Sequence, residues 1–142
     1  MSEQIIRFYE LSSAKFQADP LLLVAKIAQK AFETQASCVI LATDEAQAMA
    51  LDEKLWSYID DAFLPHQIAG QEDDDECPVL IVAPGFTCPI RDVTINLRSV
   101  SPTQFGIRLL EIIPLDEAEK NIARARFKAF VNAGLKPTFE KA

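Results

Sequence analysis

The chain has 142 residues, 49% of them hydrophobic and 25% charged, with 21 carboxylates against 14 Lys and Arg and a formal net charge of −7. That length and apolar content predict one globular domain over residues 1–142 rather than a disordered segment. The acidic balance argues against general nucleic-acid binding, which relies on many cations neutralising phosphates. No apolar run approaches the roughly 20 residues that span a bilayer. The start "MSEQIIRFYE" has neither the basic residues nor the apolar core of a signal sequence, so a cytoplasmic protein without a membrane segment is expected.

In chain order, "IIRFYEL" reads as a first strand, and "SSAKFQADP" as a turn-rich loop whose Pro20 suits the first turn of a helix with Asp19 as N-cap. From Leu21 to Phe32 the apolar positions Leu21, Val24, Ala25, Ala28, Ala31 and Phe32 recur at helical spacing. "CVILAT" is a continuously apolar strand of the kind buried on both faces, with Cys38 as a small buried hydrophobe. Thr43 is the expected N-cap of the following helix, in which Ala48, Leu51 and Leu55 form the inner stripe while Met49 and Trp56 turn away; Trp56 is either folded under the following loop, which pattern favours, or an anchor for a partner. "FLPHQIAG" enters a short strand, the acidic run Glu72–Glu76 is a solvated loop, and "CPVLIVAP", "DVTINL" and "FGIRLLEII" are three further strands. Pro114 with Asp116 opens the last helix. Strands alternating with helices predict an α/β sandwich with a mainly parallel sheet.

Residues able to do chemistry are sparse. Gly70, Gly85, Gly106 and Gly134 are the four glycines, and neither G-x-G-x-x-G nor G-x-x-x-x-G-K-[ST] occurs. His66 is the single histidine and no G-x-S-x-G elbow is present, so His66 is expected to serve structure, held by local hydrogen bonds near Pro65. Cys38, Cys77 and Cys88 form no C-x-x-C pair, and Glu72–Glu76 lacks the alternating ligands and central glycine of a calcium loop. No metal, cofactor or catalytic residue is therefore expected. A small nucleotide-binding protein or enzyme on the same scaffold is the competing reading.

The last helix gathers Lys120, Arg124, Arg126 and Lys128 in nine residues of an acidic chain. At 100° per residue, Ala118, Ile122, Ala125, Ala129 and Ala133 fall on one side, the expected core face. Lys120, Arg124, Phe127 and Val131 fall opposite, with Lys128 at their edge. An aromatic among cations suits an acidic ligand with an apolar end; an ordinary solvated helix face would carry the same residues.

The stretches "FYEL", "LDEKLW" followed by "FLPHQIAG", "PVLI", "RDVTINLR" and "ARARFKAFVNAG", in this order over nearly the whole chain, resemble the chi subunit family of bacterial DNA polymerase III holoenzyme. The resemblance implies a Rossmann-like three-layer sandwich without a functional nucleotide site, acting as a non-enzymatic adaptor in the clamp-loader assembly. It implies that Ile113, Lys120, Arg124, Phe127 and Lys128 receive the acidic C-terminal tail of single-stranded DNA-binding protein, with Phe127 standing where a tyrosine is expected. It also implies that Trp56 and Phe63 meet the psi subunit, or in some members an XPD-type helicase; direct nucleic-acid binding is not expected, because only one short cationic stripe is evident in an acidic chain.

Overall fold

The computed structural model of the chain describes residues 4–58 and 64–142. Strand β1 (Ile5–Glu10) is followed by the short helix α1 (Ala14–Ala18), helix α2 (Pro20–Glu33), β2 (Cys38–Leu41), α3 (Glu45–Tyr58) and β3 (His66–Ile68). After a single 3-10 turn at Asp74–Glu76 come β4 (Val79–Val82), β5 (Val93–Asn96), β6 (Arg108–Ile113), α4 (Glu117–Asn132) and β7 (Thr138–Lys141). The seven strands form one sheet in the order β3-β4-β2-β5-β6-β1-β7, and every neighbouring pair is parallel.

Burial on both faces explains why β2 and β4 read as unbroken apolar runs, since every residue of "CVIL" and "VLIV" is inside. Strand alternation sends Cys38, Ile40, Val79, Ile81, Val93, Ile95, Leu110 and Ile112 to one face, where Val24, Ala25 and Ala28 of α2 and Ala48, Leu51 and Leu55 of α3 cover them. The opposite face is divided. Ile6, Phe8, Leu109 and Ile113 lie beneath Ala123, Phe127 and Phe130 of α4, while Val39, Leu41, Leu80 and Val82 pack with Ala69 and Cys88.

The amino ends of the central strands are tied by the Arg-Asp pair of "RDVTINLR". Buried Arg91 donates through Nη1 to the Cys38 carbonyl at 3.3 Å and to the Cys77 carbonyl, and through Nη2 to the Asp74 carbonyl at 2.9 Å. The Asp92 amide donates to Ser37 Oγ at 2.9 Å, and the Ser37 amide returns a bond to Asp92 Oδ2 at 3.2 Å.

Three local expectations are corrected. "SSAKFQADP" contains helix α1, whose N-cap Ser13 accepts from the Phe16 amide, rather than a plain loop. Asp44, not Thr43, caps α3 by accepting from the Gln47 amide at 2.7 Å, while Thr43 bonds the Gln47 side chain. Asp19 is the N-cap of α2 as expected, although its side chain makes no cap bond; its carboxylate takes Lys54 Nζ at 2.5 Å and joins α2 to α3. The largest correction concerns α4, where Ile122, Ala118, Ala125, Ala129 and Ala133 are exposed and Ala123, Arg126, Phe127 and Phe130 face the sheet. A stripe of alanines gains little from burial, so two phenylalanines a turn apart decide which side turns inward.

Within the acidic run, Asp74 is an organiser rather than one solvated charge among five. Its carboxylate accepts from the Gly70 amide at 2.9 Å, the Gln71 amide at 3.1 Å and Gln67 Nε2 at 2.8 Å. The Gly70 bond foremost holds its pKa below the ordinary carboxylate value. A depressed folded-state pKa stabilises the fold above the unfolded value, and that contribution is lost as pH falls through the folded pKa. Asp74→Asn keeps an acceptor but removes the charge. Its deficit relative to the parent in urea unfolding should be largest above about pH 5 and shrink toward pH 3, given an ordinary carboxylate near 4.

Candidate functional site

The cationic stretch of α4 borders a pocket of about 330 Å³ lined by Phe8, Ile113, Ala123, Arg124, Phe127 and Phe139. Four elements build it: Phe8 comes from the middle of β1, Ile113 from the carboxyl end of β6, Phe139 from β7, and the rest from successive turns of α4. Buried Phe8 meets the Phe127 ring at a centroid separation of 5.4 Å and 60°, and the Phe130 ring at 6.1 Å. Such tilted contacts suit the ring quadrupoles and hold Phe127 against the sheet.

Beneath this wall lies a buried polar cluster. Arg126 Nη1 reaches Glu111 Oε1 at 2.6 Å, and the Arg126 guanidinium carbon sits 5.7 Å from the Phe8 ring centre. Glu111, fully buried in β6, also accepts from Asn96 Nδ2 at 2.7 Å and Ser101 Oγ at 2.5 Å. An ion pair at this depth, with both Glu111 oxygens hydrogen-bonded and Arg126 Nε left without a partner, fixes the rotation of α4 on the sheet. The sequence carried a signal for it, since Glu111 interrupts the apolar strand "RLLEII" and a carboxylate facing inward calls for a cation on the covering helix.

Of the predicted tail residues, the fold brings Ile113, Arg124 and Phe127 to the pocket. Lys120 and Lys128 stand one turn before and one turn after Arg124, so the three cations form an i, i+4, i+8 row along one edge of α4. The Arg124 side chain is largely exposed, bonded to Asn121 Oδ1 at 2.7 Å and only loosely set near Glu117 at 3.8 Å. Phe127 is not the exposed aromatic of the helical projection; it is half-buried and forms a wall. Phe8, Ala123 and Phe139 were missed by sequence reasoning. An apolar pocket bordered by a cation row suits a ligand with an apolar end and carboxylates behind it.

A second surface lies on α3. Met49 and Trp56, seven residues apart on one helix face, are 61% and 58% exposed while Ala48, Leu51 and Leu55 are buried. The Trp56 ring stands edge-on to the His66 ring at 4.9 Å. His66 is buried beneath it, with Nδ1 2.7 Å from the Leu64 carbonyl and Nε2 3.2 Å from both the backbone and side-chain oxygens of Asp52. Phe63 lies outside the described residues.

The carboxyl ends of the strands, where open α/β sheets bind ligands, carry an arginine instead of a glycine loop. Arg98 Nε donates to the Ala42 carbonyl at 2.8 Å and Nη2 to the Val82 carbonyl at 2.9 Å, laying the guanidinium across the ends of β2 and β4. Burial pushes the Cys38 thiol up to about 12 and also raises Cys77 and Cys88, so none is poised as a thiolate. Among the described residues, no group of three His, Cys, Asp or Glu side chains could hold a metal, and no helix is long and apolar enough to cross a membrane.

These features define a Rossmann-like parallel α/β protein with an apolar pocket on its last helix that Arg124 borders. The C-terminal domain of the DEAD-box protein Dbp5 shares this fold at a TM-score of 0.67 and 14% identity, over 99% of this chain and 90% of that one. The family model described as DNA polymerase III chi subunit, HolC, matches residues 3–138, and the chain belongs to that family. The DNA polymerase III subunit chi of Escherichia coli K12 is 34% identical over 116 residues, 79% of this chain and 78% of the relative. That of Pseudomonas aeruginosa PAO1 is 32% identical over 132 residues, 91% of this chain and 90% of the relative. The chain is thus a chi-family subunit of a DNA polymerase III.

Proposed function

We propose that this chain is a non-enzymatic adaptor, a single domain over residues 1–142 that links the polymerase III clamp-loader assembly to protein-coated single-stranded DNA. The acidic C-terminal tail of single-stranded DNA-binding protein docks on α4, its terminal aromatic entering the pocket beside Ile113 and Phe127 while Lys120, Arg124 and Lys128 take its carboxylates. The psi subunit, or an XPD-type helicase in its place, covers Trp56 and Phe63. The observation that carries this reading is the pocket itself, an apolar cavity lined by Arg124, with Lys120 and Lys128 one turn to either side on the same helix, in a chain of net charge −7.

The competing nucleotide-binding reading is disfavoured by the lack of a glycine-rich phosphate loop in the sequence. Saturable stabilisation by ATP or a dinucleotide in a thermal-shift assay would reverse that preference, since a ligand of the folded state raises its stability by mass action.

The tail contact should be partly electrostatic and weaken with salt, whereas the Trp56 contact should depend on apolar burial and respond less. Phe127 supplies a ring without a hydroxyl, so the tail loses one hydrogen bond that a tyrosine would give, worth about 1 kcal/mol. Calorimetry with an acidic peptide ending in phenylalanine should show about a 10-fold loss of affinity for Arg124→Ala, the scale of a charge-assisted hydrogen bond. Equal affinities for parent and variant would remove the tail-binding reading.

A further inference from the structure

We infer that β7 is the second wall of the tail pocket and that Phe139 makes the pocket selective for an aromatic residue at the ligand's end, an inference that rests on the tail-binding reading above. Every residue of β7 is exposed, and β7 closes one edge of the sheet. A large apolar side chain in a polar edge strand gains little from folding and exposes the edge to unwanted pairing. Phe139 nevertheless stands there at 50% exposure. Its register partner in β1 is Phe8, which faces α4, so strand geometry places the Phe139 ring on the α4 side.

Phe139 therefore lines the pocket from the sheet edge while Phe127 lines it from the helix, with Phe8 buried between them as the floor. Three rings from three separate elements converge on one cavity. A flat ring entering it can meet aromatic faces or edges on more than one side, an arrangement that favours an aromatic over an aliphatic side chain of similar area. The occupant is the acidic tail, because Arg124 lines the cavity and Lys120 and Lys128 stand one turn to either side of it on the same helix. In this division the cations hold the chain of carboxylates and β7 reads the last side chain.

Two short acidic peptides, identical except for a final Phe or Ala, separate these roles by calorimetry on the full chain. Phe139→Ala should weaken the Phe-ended peptide about 10-fold and the Ala-ended peptide less than about 2-fold, as expected for loss of ring contacts and apolar burial. Arg124→Ala should weaken both. If Phe139→Ala binds both peptides like the parent while Arg124→Ala still weakens them, the role of Phe139 is overturned and the tail site stands. If the parent binds neither peptide, the tail site fails and this inference with it. A peptide ending in fluorophenylalanine gives a second readout, a 19F shift on binding from neighbouring rings. An unchanged shift in Phe139→Leu, which keeps an apolar side chain but no ring, would also overturn the proposal.

Discussion

Glu111→Ala should cost about 3–5 kcal/mol of folding stability, on the order of a 10 °C fall in melting temperature. The carboxylate is fully buried and takes bonds from Arg126, Asn96 and Ser101. Removing it leaves the Arg126 guanidinium nearly enclosed without its counter-ion, and that desolvated charge outweighs the attraction lost. The cost reflects a broken pair rather than the net worth of an intact one. Glu111→Leu combined with Arg126→Leu should therefore recover most of the loss. Urea unfolding of the parent, the single variant and the double variant checks this. A single variant within about 1 kcal/mol of the parent would show that α4 is not held by this pair.

The pair also bears on the site. Arg126 lies against the Phe8 ring, and Phe8 supports Phe127, so the buried charges connect directly to the pocket wall. The double variant should then regain stability more fully than affinity for a Phe-ended acidic peptide. Leucines at 111 and 126 can fill volume, but they do not fix the rotation of α4 through directional bonds.

This cluster also explains what was legible in the sequence. β2 and β4 were plain because burial on both faces leaves only apolar residues, and the inner stripe of α3 was plain because Ala48, Leu51 and Leu55 have no rival stripe. The face of α4 was not. Its alanines and its phenylalanines both recur with helical period; the larger apolar area of Phe127 and Phe130 decides between them, and Glu111 in the neighbouring strand, which draws Arg126 inward, agrees. β7 was invisible because "TFEK" is exposed throughout and lacks any alternation between core and solvent. The cations of the site could be read from one helix, whereas Phe8 and Phe139 enter it only through strand order, which local pattern does not encode.

Gly106→Ala should destabilise by about 3 kcal/mol, although nothing in its backbone conformation demands glycine. A β-carbon there would stand 2.0 Å from the Arg91 carbonyl oxygen, 2.8 Å from its carbon and 3.3 Å from Asp92 Cα. Those are main-chain atoms, so no rotamer change relieves the clash; one segment has to move. Neither segment is loose. Arg91 is tied to three carbonyls and Asp92 to Ser37, while the amides of Ile107 and Arg108 donate to the Asp92 carbonyl at 3.0 and 2.9 Å. Gly134 is the opposite case, with φ at +86° and open space around a β-carbon, so Gly134→Ala should cost only the left-handed penalty of about 1–2 kcal/mol. Urea unfolding should place Gly106→Ala below Gly134→Ala. The reverse order would mean that the connection into β6 slides aside and that the Arg91 clasp yields more readily than its hydrogen bonds imply.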